Sequence, residues 1–460
     1  MTETVKIISP IDGSVYAERP VASGAEIEAA VARARAGRNA WGEVTLAERA
    51  KIMTHFVDAL AGMNEEIVPE LAWQMGRPIR FGGEKRGVEE RSRYMISIAE
   101  EALAPSVKDG KEGFTRYITR EPLGLVMVIA PWNYPYLTAV NSIVPGLMAG
   151  NAVLLKHASQ TLLAGERFAE AGRRAGLPEG LFQNLVMSHG DTEKLIGSGA
   201  IDHINFTGSV EGGRRIEKAA AGTFATLGLE LGGKDPAYVR EDADLAHSIE
   251  NLVDGSFFNS GQSCCGVERI YVHEGVYDAF VEGFIDNARG WTLGNPLEES
   301  TIVGPMARPQ FADVVRGQKE EALRKGAKAH LGTQHPLDKA GSPYLAPEVL
   351  TNVNHQMAVM REESFGPIVG IMKVRDDAEA ITLMNDSPYG LTASIWTRDI
   401  DAAARIGAKV ETGTVFANRC DYLDPALVWT GVKDTGKGGA LSEIGYANLT
   451  QPKSYHLRHI

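Results

Sequence analysis

The sequence predicts an α/β protein organised around a parallel, doubly wound sheet. Short apolar runs of the kind found in buried strands alternate with segments whose apolar residues recur at helical spacing. The strand-like runs are LGLVMVIA, AVLLK, QNLVM and HINF, and the helical segments cover about residues 138 to 149, 160 to 175 and 210 to 221. Ligands of such sheets lie beyond the carboxyl ends of the strands. The residues that follow each strand are therefore the first candidates for function.

The first hundred residues are predicted to be mainly helical. Ser23, with Glu26 three residues later, forms a capping box ahead of IEAAVARARAG, and a second helix is expected from about Leu46 to Leu60. The chain has 460 residues, of which 44% are hydrophobic, so it can bury a large core. This length predicts two or three domains.

Composition excludes several classes of protein. The net charge is -12 and no basic block stands out, so nucleic acid is not an expected partner. The N-terminus MTETVKIISP lacks a charged segment followed by an apolar run, and LGLVMVIA stops at Pro131 after eight residues. We therefore expect neither secretion nor a membrane span. Three cysteines argue against a disulfide framework and for a reducing compartment, which predicts a cytoplasmic protein.

Polar groups and glycines follow three of the predicted strands. LGLVMVIA leads into PWNYPY, AVLLK into HASQT, and HINF into TGSVEGG. Because TGSVEGG opens a helix, its backbone N–H groups and the Ser209 hydroxyl could receive a phosphate at the positive helix end. Gly208 and Gly213 do not match the dinucleotide fingerprint G-x-G-x-x-G. An ordinary strand-to-helix turn is therefore the alternative.

Lys156 and Asn133 each allow two interpretations. Lys156 ends an apolar strand, where it could extend its amine to solvent or donate to the ribose hydroxyls of a nucleotide lying across the strand ends. Asn133 could cap its local backbone, as amides in turns usually do. Because it stands between Trp132 and Tyr134 and between two prolines, it is also rigid enough to point at a reacting oxygen.

Glu230 stands in the apolar stretch LGLELGGKDP. Burial would raise the pKa of its carboxylate towards the working range of a general base. The alternative is a structural ion pair with Lys234.

Two of the three cysteines are adjacent, in FFNSGQSCCGVER at residues 257 to 269. Apolar residues at helical spacing run up to Gly261, where the helix is expected to end, and ERIYV is expected to form a strand. Cys264 and Cys265 then lie in a tight helix-to-strand connection. A metal pair would need C-x-x-C spacing or nearby histidines, and adjacent cysteines rarely form a disulfide with each other. Two interpretations remain, namely buried thiols and a nucleophile.

A nucleophilic cysteine at this point would need help to ionise. The C-terminal end of a helix disfavours the thiolate, and at an unperturbed pKa only about 3% of thiols are ionised near neutral pH. The sequence therefore predicts that a base or a positive charge lies near any reactive thiol here.

Six motifs together resemble those of the aldehyde dehydrogenase superfamily, in order and spacing, over essentially the whole chain. They are PWNYP, LLKHAS, FTGS, LELGGK, GQSCCGVER and EESFGP. The resemblance implies a Rossmann-like cofactor domain (residues 1–103 and 123–232), an α/β catalytic domain (233–434) and a small β oligomerisation element (104–122 and 446–460). It also implies a homodimer or a homotetramer.

The resemblance gives each candidate residue a role. The family pattern G-Q-x-C makes Cys264 the nucleophile, which forms a thiohemiacetal whose oxyanion is held by the Asn133 amide and the Cys264 N–H. Hydride transfer to NAD or NADP leaves a thioester, and Glu230 activates the water that hydrolyses it. The positive nicotinamide ring would favour the thiolate, and no metal is implied. Cofactor contacts are implied for Trp132, Lys156, Ser159, Gly208, Ser209, Gly213, Leu231, Glu363 and Phe365.

Several positions depart from the family pattern. Ser159 stands where many NAD-preferring members carry a glutamate, so NADP should be tolerated. His157 replaces a proline, and Asn141 stands where several members carry a tryptophan. The loop NRCDYLDPALVW lacks the common aromatic pattern, which predicts a wider, more polar tunnel, and Arg419 in that loop makes a carboxylated or hydroxylated aldehyde conceivable. The arginines around residues 86 to 93 are expected to be solvated.

Three rival functions fit the sequence less well. A coenzyme-A-acylating enzyme would have little use for Glu230 as a base. A thiol hydrolase would need a histidine beside Cys264 and would have no use for Lys156 or the TGS turn. A non-catalytic relative of the same fold would be expected to have lost the cysteine or the glutamate, and both are present.

Overall fold

The computed structural model describes residues 3–332 and 335–460. The strands are β1 (Thr4–Ile8), β2 (Val15–Pro20), β3 (Ser106–Val107), β4 (Phe114–Pro122), β5 (Leu125–Ala130), β6 (Ala152–His157), β7 (Phe182–Asn184), β8 (His203–Thr207), β9 (Thr226–Glu230), β10 (Asp235–Val239), β11 (Val267–His273), β12 (Lys328–Ala329), β13 (Glu348–Thr351), β14 (Ile368–Val374), β15 (Thr392–Trp396), β16 (Thr414–Ala417), β17 (Gly436–Lys437) and β18 (Thr450–Arg458).

Helices cover the faces of these strands. They are α1 (Gly24–Gly42), α2 (Leu46–Ala61), α3 (Asn64–Met75), α4 (Lys85–Ala102), α5 (Pro135–Met148), α6 (Leu162–Ala175), α7 (His189–Gly197), α8 (Val210–Ala220), α9 (Leu245–Phe257), α10 (Tyr277–Ala288), α11 (Pro309–Arg324), α12 (Ala358–Arg361), α13 (Asp377–Asn385), α14 (Ile400–Gly407) and α15 (Ser442–Asn448).

A six-stranded sheet contains the runs that the sequence marks as strands. Its order is β17, β9, β8, β5, β6, β7, and all neighbours are parallel except β17 and β9. Every residue of β5 and β6 is buried, which explains why these strands read as unbroken apolar runs. The predicted parallel sheet is confirmed, although QNLVM contributes only its first two residues to β7.

A seven-stranded sheet follows, in the order β12, β13, β14, β11, β10, β15, β16. Its neighbours are parallel except β12 and β13. Alternate side chains of one strand enter different cores, since Tyr238 of β10 belongs to one apolar cluster while Ala237 and Val239 belong to another. This sheet is therefore covered on both faces.

The remaining strands form small antiparallel sheets. The C-terminal strand β18 pairs with β4 along its whole length, from Thr450 opposite Pro122 to Arg458 opposite Phe114. The strand β3 pairs with the other edge of β4, and β1 pairs with β2 near the N-terminus.

The predicted N-terminal helices are confirmed, and the helix before the cysteines is shorter than predicted. Ser23 caps α1 with both bonds of a capping box. The helix α9 ends at Phe257, four residues before Gly261, because Asn259 and Ser260 adopt left-handed backbone angles (φ 53° and 58°) in a short turn. Gly261 is itself left-handed (φ +70°) and would place any Cβ against the Gly366 carbonyl.

Candidate active site

Four candidate residues lie at the carboxyl ends of neighbouring strands. In the six-stranded sheet, the strand order places Glu230 at the end of β9, Ser209 after β8, Asn133 after β5 and Lys156 near the end of β6. Because these strands are parallel, their carboxyl ends meet at one edge of the sheet. The fold therefore collects at one edge residues that are up to 97 positions apart, from 133 to 230.

The two adjacent cysteines have different surroundings. Cys265 is buried, and its Sγ donates to Asp421 Oδ1 at 2.8 Å, an oxygen that also accepts from the Ser263 hydroxyl at 2.8 Å. Hydrogen bonding with Cys264, then burial and the charge of Asp421, raise the pKa of Cys265 well above its ordinary value. Cys264 is partly exposed, and among the described residues its backbone N–H has no partner. Of the two adjacent cysteines, Cys264 is thus the accessible thiol.

The Asn133 amide faces the turn that carries the cysteines. Its Nδ2 donates to the Gln262 carbonyl, two residues before Cys264, at 3.2 Å. The Asn133 carbonyl in turn accepts from Arg77 Nη2 and from Asn259 Nδ2. The side chain is 4% exposed. The amide is therefore held against the cysteine turn instead of capping its own loop.

A buried ion pair fixes the loop after β5. Arg77 Nη1 lies 2.5 Å from Glu84 Oε1, and both side chains are almost fully buried. Glu84 Oε2 also accepts the backbone N–H groups of Tyr136 (3.0 Å) and Leu137 (2.7 Å) in the first turn of α5. A carboxylate at a helix N-terminus is electrostatically favourable. Together these bonds hold the loop PWNYPY, and with it Asn133, in place.

Among the residues that the structure describes, no cation is in direct contact with the Glu230 carboxyl group. The Thr207 hydroxyl donates to its Oε2 at 3.1 Å. Burial raises the pKa of Glu230 to about 7, against the opposing effects of Thr207 and of the Arg91 charge, although part of its surface still meets water. The ion pair with Lys234, which the sequence left open, is wrong, because Lys234 Nζ binds Glu268 at 2.5 Å.

Glu363 lies against the segment that follows β9, and Phe365 lies against Trp132. Glu363 Oε1 accepts the Gly233 N–H at 2.9 Å, and burial raises the pKa of Glu363 to about 7. The Phe365 ring meets Trp132 edge-on at 5.5 Å, and Trp132 stacks on Phe311 at 5.3 Å. Trp132, Phe311 and Phe365 therefore form an aromatic cluster, and Glu363, two residues before Phe365, binds the backbone at Gly233.

The end of β6 carries the groups expected to meet a nucleotide. Lys156 is buried, burial lowers its pKa, and its amine has no partner in residues 3–332 and 335–460. Arg308 donates from Nη2 to Ser159 Oγ at 3.3 Å and from Nε to Gln160 Oε1 at 3.0 Å. His157, in place of the family's proline, is buried and neutral, since burial lowers its pKa to about 4.

The TGSVEGG turn serves mainly to begin α8. The Ser209 hydroxyl accepts the Gly212 N–H at 3.1 Å, and the Ser209 carbonyl accepts the Gly213 N–H at 2.9 Å. A methyl group at Gly213 would come within 2.6 Å of Leu231, so this glycine allows close packing of α8 on the strand ends. The Ser209 hydroxyl is thus already a helix cap, and the first N–H groups of α8, just after Gly208, remain for an anion.

Comparison with known proteins agrees with this geometry. The model of the aldehyde dehydrogenase family matches residues 1–455. The chain belongs to the aldehyde dehydrogenase family. A succinate-semialdehyde dehydrogenase (NADP(+)) of Mycolicibacterium paratuberculosis is 34% identical over 454 residues, 98% of this chain and 96% of the relative. The succinate semialdehyde dehydrogenase (NAD(P)+) Sad of Escherichia coli is 34% identical over 443 residues, 95% and 94% of the two chains.

A solved structure shares the whole fold of this aldehyde dehydrogenase. The aldehyde dehydrogenase KauB from Pseudomonas aeruginosa superimposes with a TM-score of 0.95 at 30% identity, covering 99% of this chain and 93% of the other. The chain is thus an NAD(P)-dependent oxidoreductase that converts aldehydes to acids. No helix of the described residues is long and apolar enough to cross a membrane. The same residues contain no cluster of ligands suited to a metal ion.

Sequence reasoning missed several residues around this site. Glu84, Asp421 and Arg308 come from distant segments and carry no local signal. Arg91 had one: it shares the helical spacing of Val88, Met95 and other buried residues of α4. The expectation that the arginines of this helix are solvated is wrong for Arg91, which is only 9% exposed.

Proposed function

We propose that this aldehyde dehydrogenase works through a covalent intermediate on Cys264, with Asn133 as an oxyanion donor and Glu230 as the base. One observation supports the proposal most. Hydrogen bonding with Cys264, burial and the charge of Asp421 raise the pKa of Cys265 and keep it protonated, which leaves Cys264 as the accessible thiol of the pair.

The first step is addition of the Cys264 thiolate to the aldehyde carbon. The carbonyl electron pair moves to the aldehyde oxygen, so negative charge develops there. Two donors are available to it, namely the Asn133 amide and the unpaired Cys264 N–H. The hydrogen bond from Asn133 Nδ2 to the Gln262 carbonyl is long, at 3.2 Å, and therefore weak. The amide can exchange it for a stronger bond to the oxyanion.

The strand ends suit a nicotinamide dinucleotide. The Lys156 amine is buried and unpaired in the described part of the chain, as a donor to ribose hydroxyls requires. Glu363, beside the Trp132 and Phe365 rings, uses one oxygen for Gly233 and has the other available for a ribose. When bound, NAD or NADP supplies the hydride acceptor and a positive charge that favours the thiolate.

The remaining cofactor contacts follow from the strand ends. The first turn of α8, after Gly208 and Ser209, would bind the pyrophosphate, and Ser159 would bind the adenosine ribose. Gly213 and Leu231 would form the floor of the cofactor site.

Glu230 is suited to the last step, hydrolysis of the thioester. With a pKa of about 7, roughly half of it is ionised near neutral pH. It can therefore take a proton from water while the water oxygen attacks the acyl carbon. The acid leaves, and the Cys264 sulfur regains its starting state as a thiol or thiolate.

Rival mechanisms receive less support. No histidine among the described residues forms a hydrogen bond with Cys264, which a Cys–His hydrolase would require, and His157 is bonded to the Pro135 carbonyl. An enzyme that transfers the acyl group to coenzyme A does not activate water, so it would not need Glu230 as a base with a raised pKa.

We also propose that the three-part division implied by the sequence holds: cofactor domain (1–103, 123–232), catalytic domain (233–434) and oligomerisation element (104–122, 446–460). The small sheet of β3, β4 and β18 supports the last part, because most of β18 is exposed. A homodimer or homotetramer in the cytoplasm is the expected form. Light scattering on the purified enzyme tests the assembly, and a monomer would contradict it.

An aldehyde panel with each cofactor tests the proposed reaction. Succinate semialdehyde is the first aldehyde to try, because two relatives are named for it. We expect reduced cofactor and carboxylic acid in equal amounts from the wild type and neither from Cys264→Ala. An enzyme that forms acyl-coenzyme A instead, or that hydrolyses esters but reduces no cofactor, would overturn the proposal.

A further inference from the structure

Arg91 is a buried cation next to the reacting groups. It lies on the inward face of α4, and 9% of its surface remains accessible. After burial, which lowers the pKa of Arg91, the groups whose ionised forms act most on it are, in decreasing order, Cys265, Glu84, Cys264 and Glu230. The guanidinium therefore sits within electrostatic reach of both the nucleophile and the base.

Arg91 has a single hydrogen-bond partner in the described part of the chain. Its Nη1 donates to the Leu137 carbonyl at 3.1 Å, and within the described residues it takes part in no ion pair. The two other carboxylates that interact with its charge already have partners, since Glu84 is bound to Arg77 and to the start of α5, and Asp421 accepts from Ser263 and Cys265. Burial lowers the pKa of Arg91, but a guanidinium stays charged. A buried charge without a counterion is costly, which points to an anion that is brought from outside.

A second unpaired polar group lies on the adjacent turn of α5. Asn141 is 2% exposed, and neither its Oδ1 nor its Nδ2 has a hydrogen-bond partner among the described residues. Helix carbonyls point towards the C-terminal end, so the Leu137 carbonyl that holds Arg91 points towards the turn of Asn141, four residues on. Gly87, one turn before Arg91, allows the close approach of the two helices, because a Cβ there would come within 2.5 Å of Leu137.

Arg419, the cation that the sequence offered for this purpose, is placed differently. It is exposed, and its guanidinium lies over the Tyr422 ring. It has a partner already and does not share the buried position of Arg91.

We propose that Arg91, with Asn141 beside it, binds the carboxylate of an aldehyde substrate that carries an acid group at the end opposite the aldehyde. This rests on the proposed function, because it requires the aldehyde carbon at Cys264. A guanidinium binds a carboxylate through two parallel hydrogen bonds, and the Arg91 N–H groups not used by Leu137 are free for them. The Asn141 amide can add a third donor.

Kinetics with two aldehydes of equal length test the proposal. Succinate semialdehyde carries the acid group and butanal lacks it. Arg91→Met removes the charge, Arg91→Lys keeps it, and Arg86→Met is a control on the exposed side of the same helix. We expect Arg91→Met to raise KM for succinate semialdehyde roughly tenfold to a hundredfold, the usual loss for charged hydrogen bonds. With butanal, kcat/KM should fall much less than with succinate semialdehyde, because only the influence of Arg91 on the ionisation of Cys264 and Glu230 is lost, and Arg86→Met should behave as wild type.

Wild-type enzyme alone gives a second test, which needs no variant to fold. Succinate should compete with butanal, whereas butyramide, without the charge, should not. If Arg91→Met lowers turnover of both aldehydes equally, Arg91 serves the thiolate or the fold, and the substrate role is wrong. Absence of competition by succinate overturns it as well. A wild type inactive with every aldehyde would instead refute the proposed function.

Discussion

The Cys265 thiol donates to Asp421 at 2.8 Å, so one of two neighbouring thiols is committed to a buried carboxylate while the other is open. Their contrast gives the first prediction. Cys264→Ala should abolish turnover. Cys265→Ala should keep most of it but lower the free energy of unfolding by about 1–3 kcal/mol, because Asp421 loses one of its donors. Steady-state rates and urea unfolding measure both, with Cys420→Ala as the control; the reverse pattern of activity would mean that the nucleophile is misassigned.

Glu230→Gln should separate the two halves of the reaction. Reduced cofactor should appear in a burst of about one equivalent per active site and then stall, because the thioester forms without the base but is not hydrolysed. Stopped-flow absorbance of the reduced cofactor measures this. Glu363→Gln is the matched control: its carboxyl has the same raised pKa, but it should weaken cofactor binding without a stall. Steady turnover of Glu230→Gln at the wild-type rate would refute the role of base.

The pKa of Glu230 also predicts a pH profile. A base acts in its ionised form, so if hydrolysis limits turnover, kcat should fall as the pH drops through about 7, by about tenfold per unit below that. The residual rate of Glu230→Gln should lack this step. A wild-type kcat that is flat across this range would show that another group or another step governs turnover.

Stability should respond to the same group in the opposite sense. Burial raises the pKa of Glu230 from 4.5 to about 7, so the folded state holds this proton more tightly than the unfolded state. Its contribution is complete below pH 4.5 and is lost as the pH rises to about 7, by of the order of 3 kcal/mol. The glutamine of Glu230→Gln does not ionise, so the variant does not lose this free energy of unfolding as the pH rises. Urea unfolding at acidic and neutral pH should therefore show the variant gaining on the wild type as pH rises, and a constant difference would contradict the prediction.

Cofactor preference depends on Ser159 and its neighbour Arg308. The serine lacks the charge that would repel a 2′-phosphate, and Arg308 adds a cation 3.3 Å from its hydroxyl. We expect NADP to support catalysis at no worse than about a hundredth of the NAD efficiency. Ser159→Glu should weaken NADP selectively, by repulsion and by pairing with Arg308. Kinetics with both cofactors, and with Ser159→Ala as the control, test this. A wild type inert with NADP, or equal losses for both cofactors, would remove Ser159 from the adenosine site.

The sequence predicted the strands better than the turns. Strands β5, β6 and β8 are buried or nearly so, and burial produces the apolar runs from which they are predicted. The turn before Cys264 was misjudged because Asn259 and Ser260 take left-handed angles. Glycine is the strongest sequence signal for such angles and asparagine a weaker one, whereas a residue such as Ser260 adopts them when tertiary contacts impose them.

The sequence did not show which charged side chains from distant segments pair with each other in the fold. Lys234 stands four residues from Glu230 and was the obvious counterion, yet it points to Glu268 on β11. Asp421 lies 156 residues after Cys265 and still accepts its hydrogen bond, and its charge adds to the effects of Cys264 and of burial that raise the pKa of Cys265. Charge pairing depends on where side chains point once strands are stacked, and adjacency in sequence does not reveal this.

Gly232 and Gly233 pass between three groups of the site with no space to spare. A methyl group on Gly232 would lie 2.7 Å from both Glu363 oxygens, and one on Gly233 would meet the Cys264 carbonyl. A side chain on Gly233 would displace the turn that carries Cys264, and one on Gly232 would displace the Glu363 carboxylate. Substitutions that change substrate specificity are therefore not expected at these two glycines. They are expected at residues around the site, such as Arg91 and Asn141, which can change one at a time.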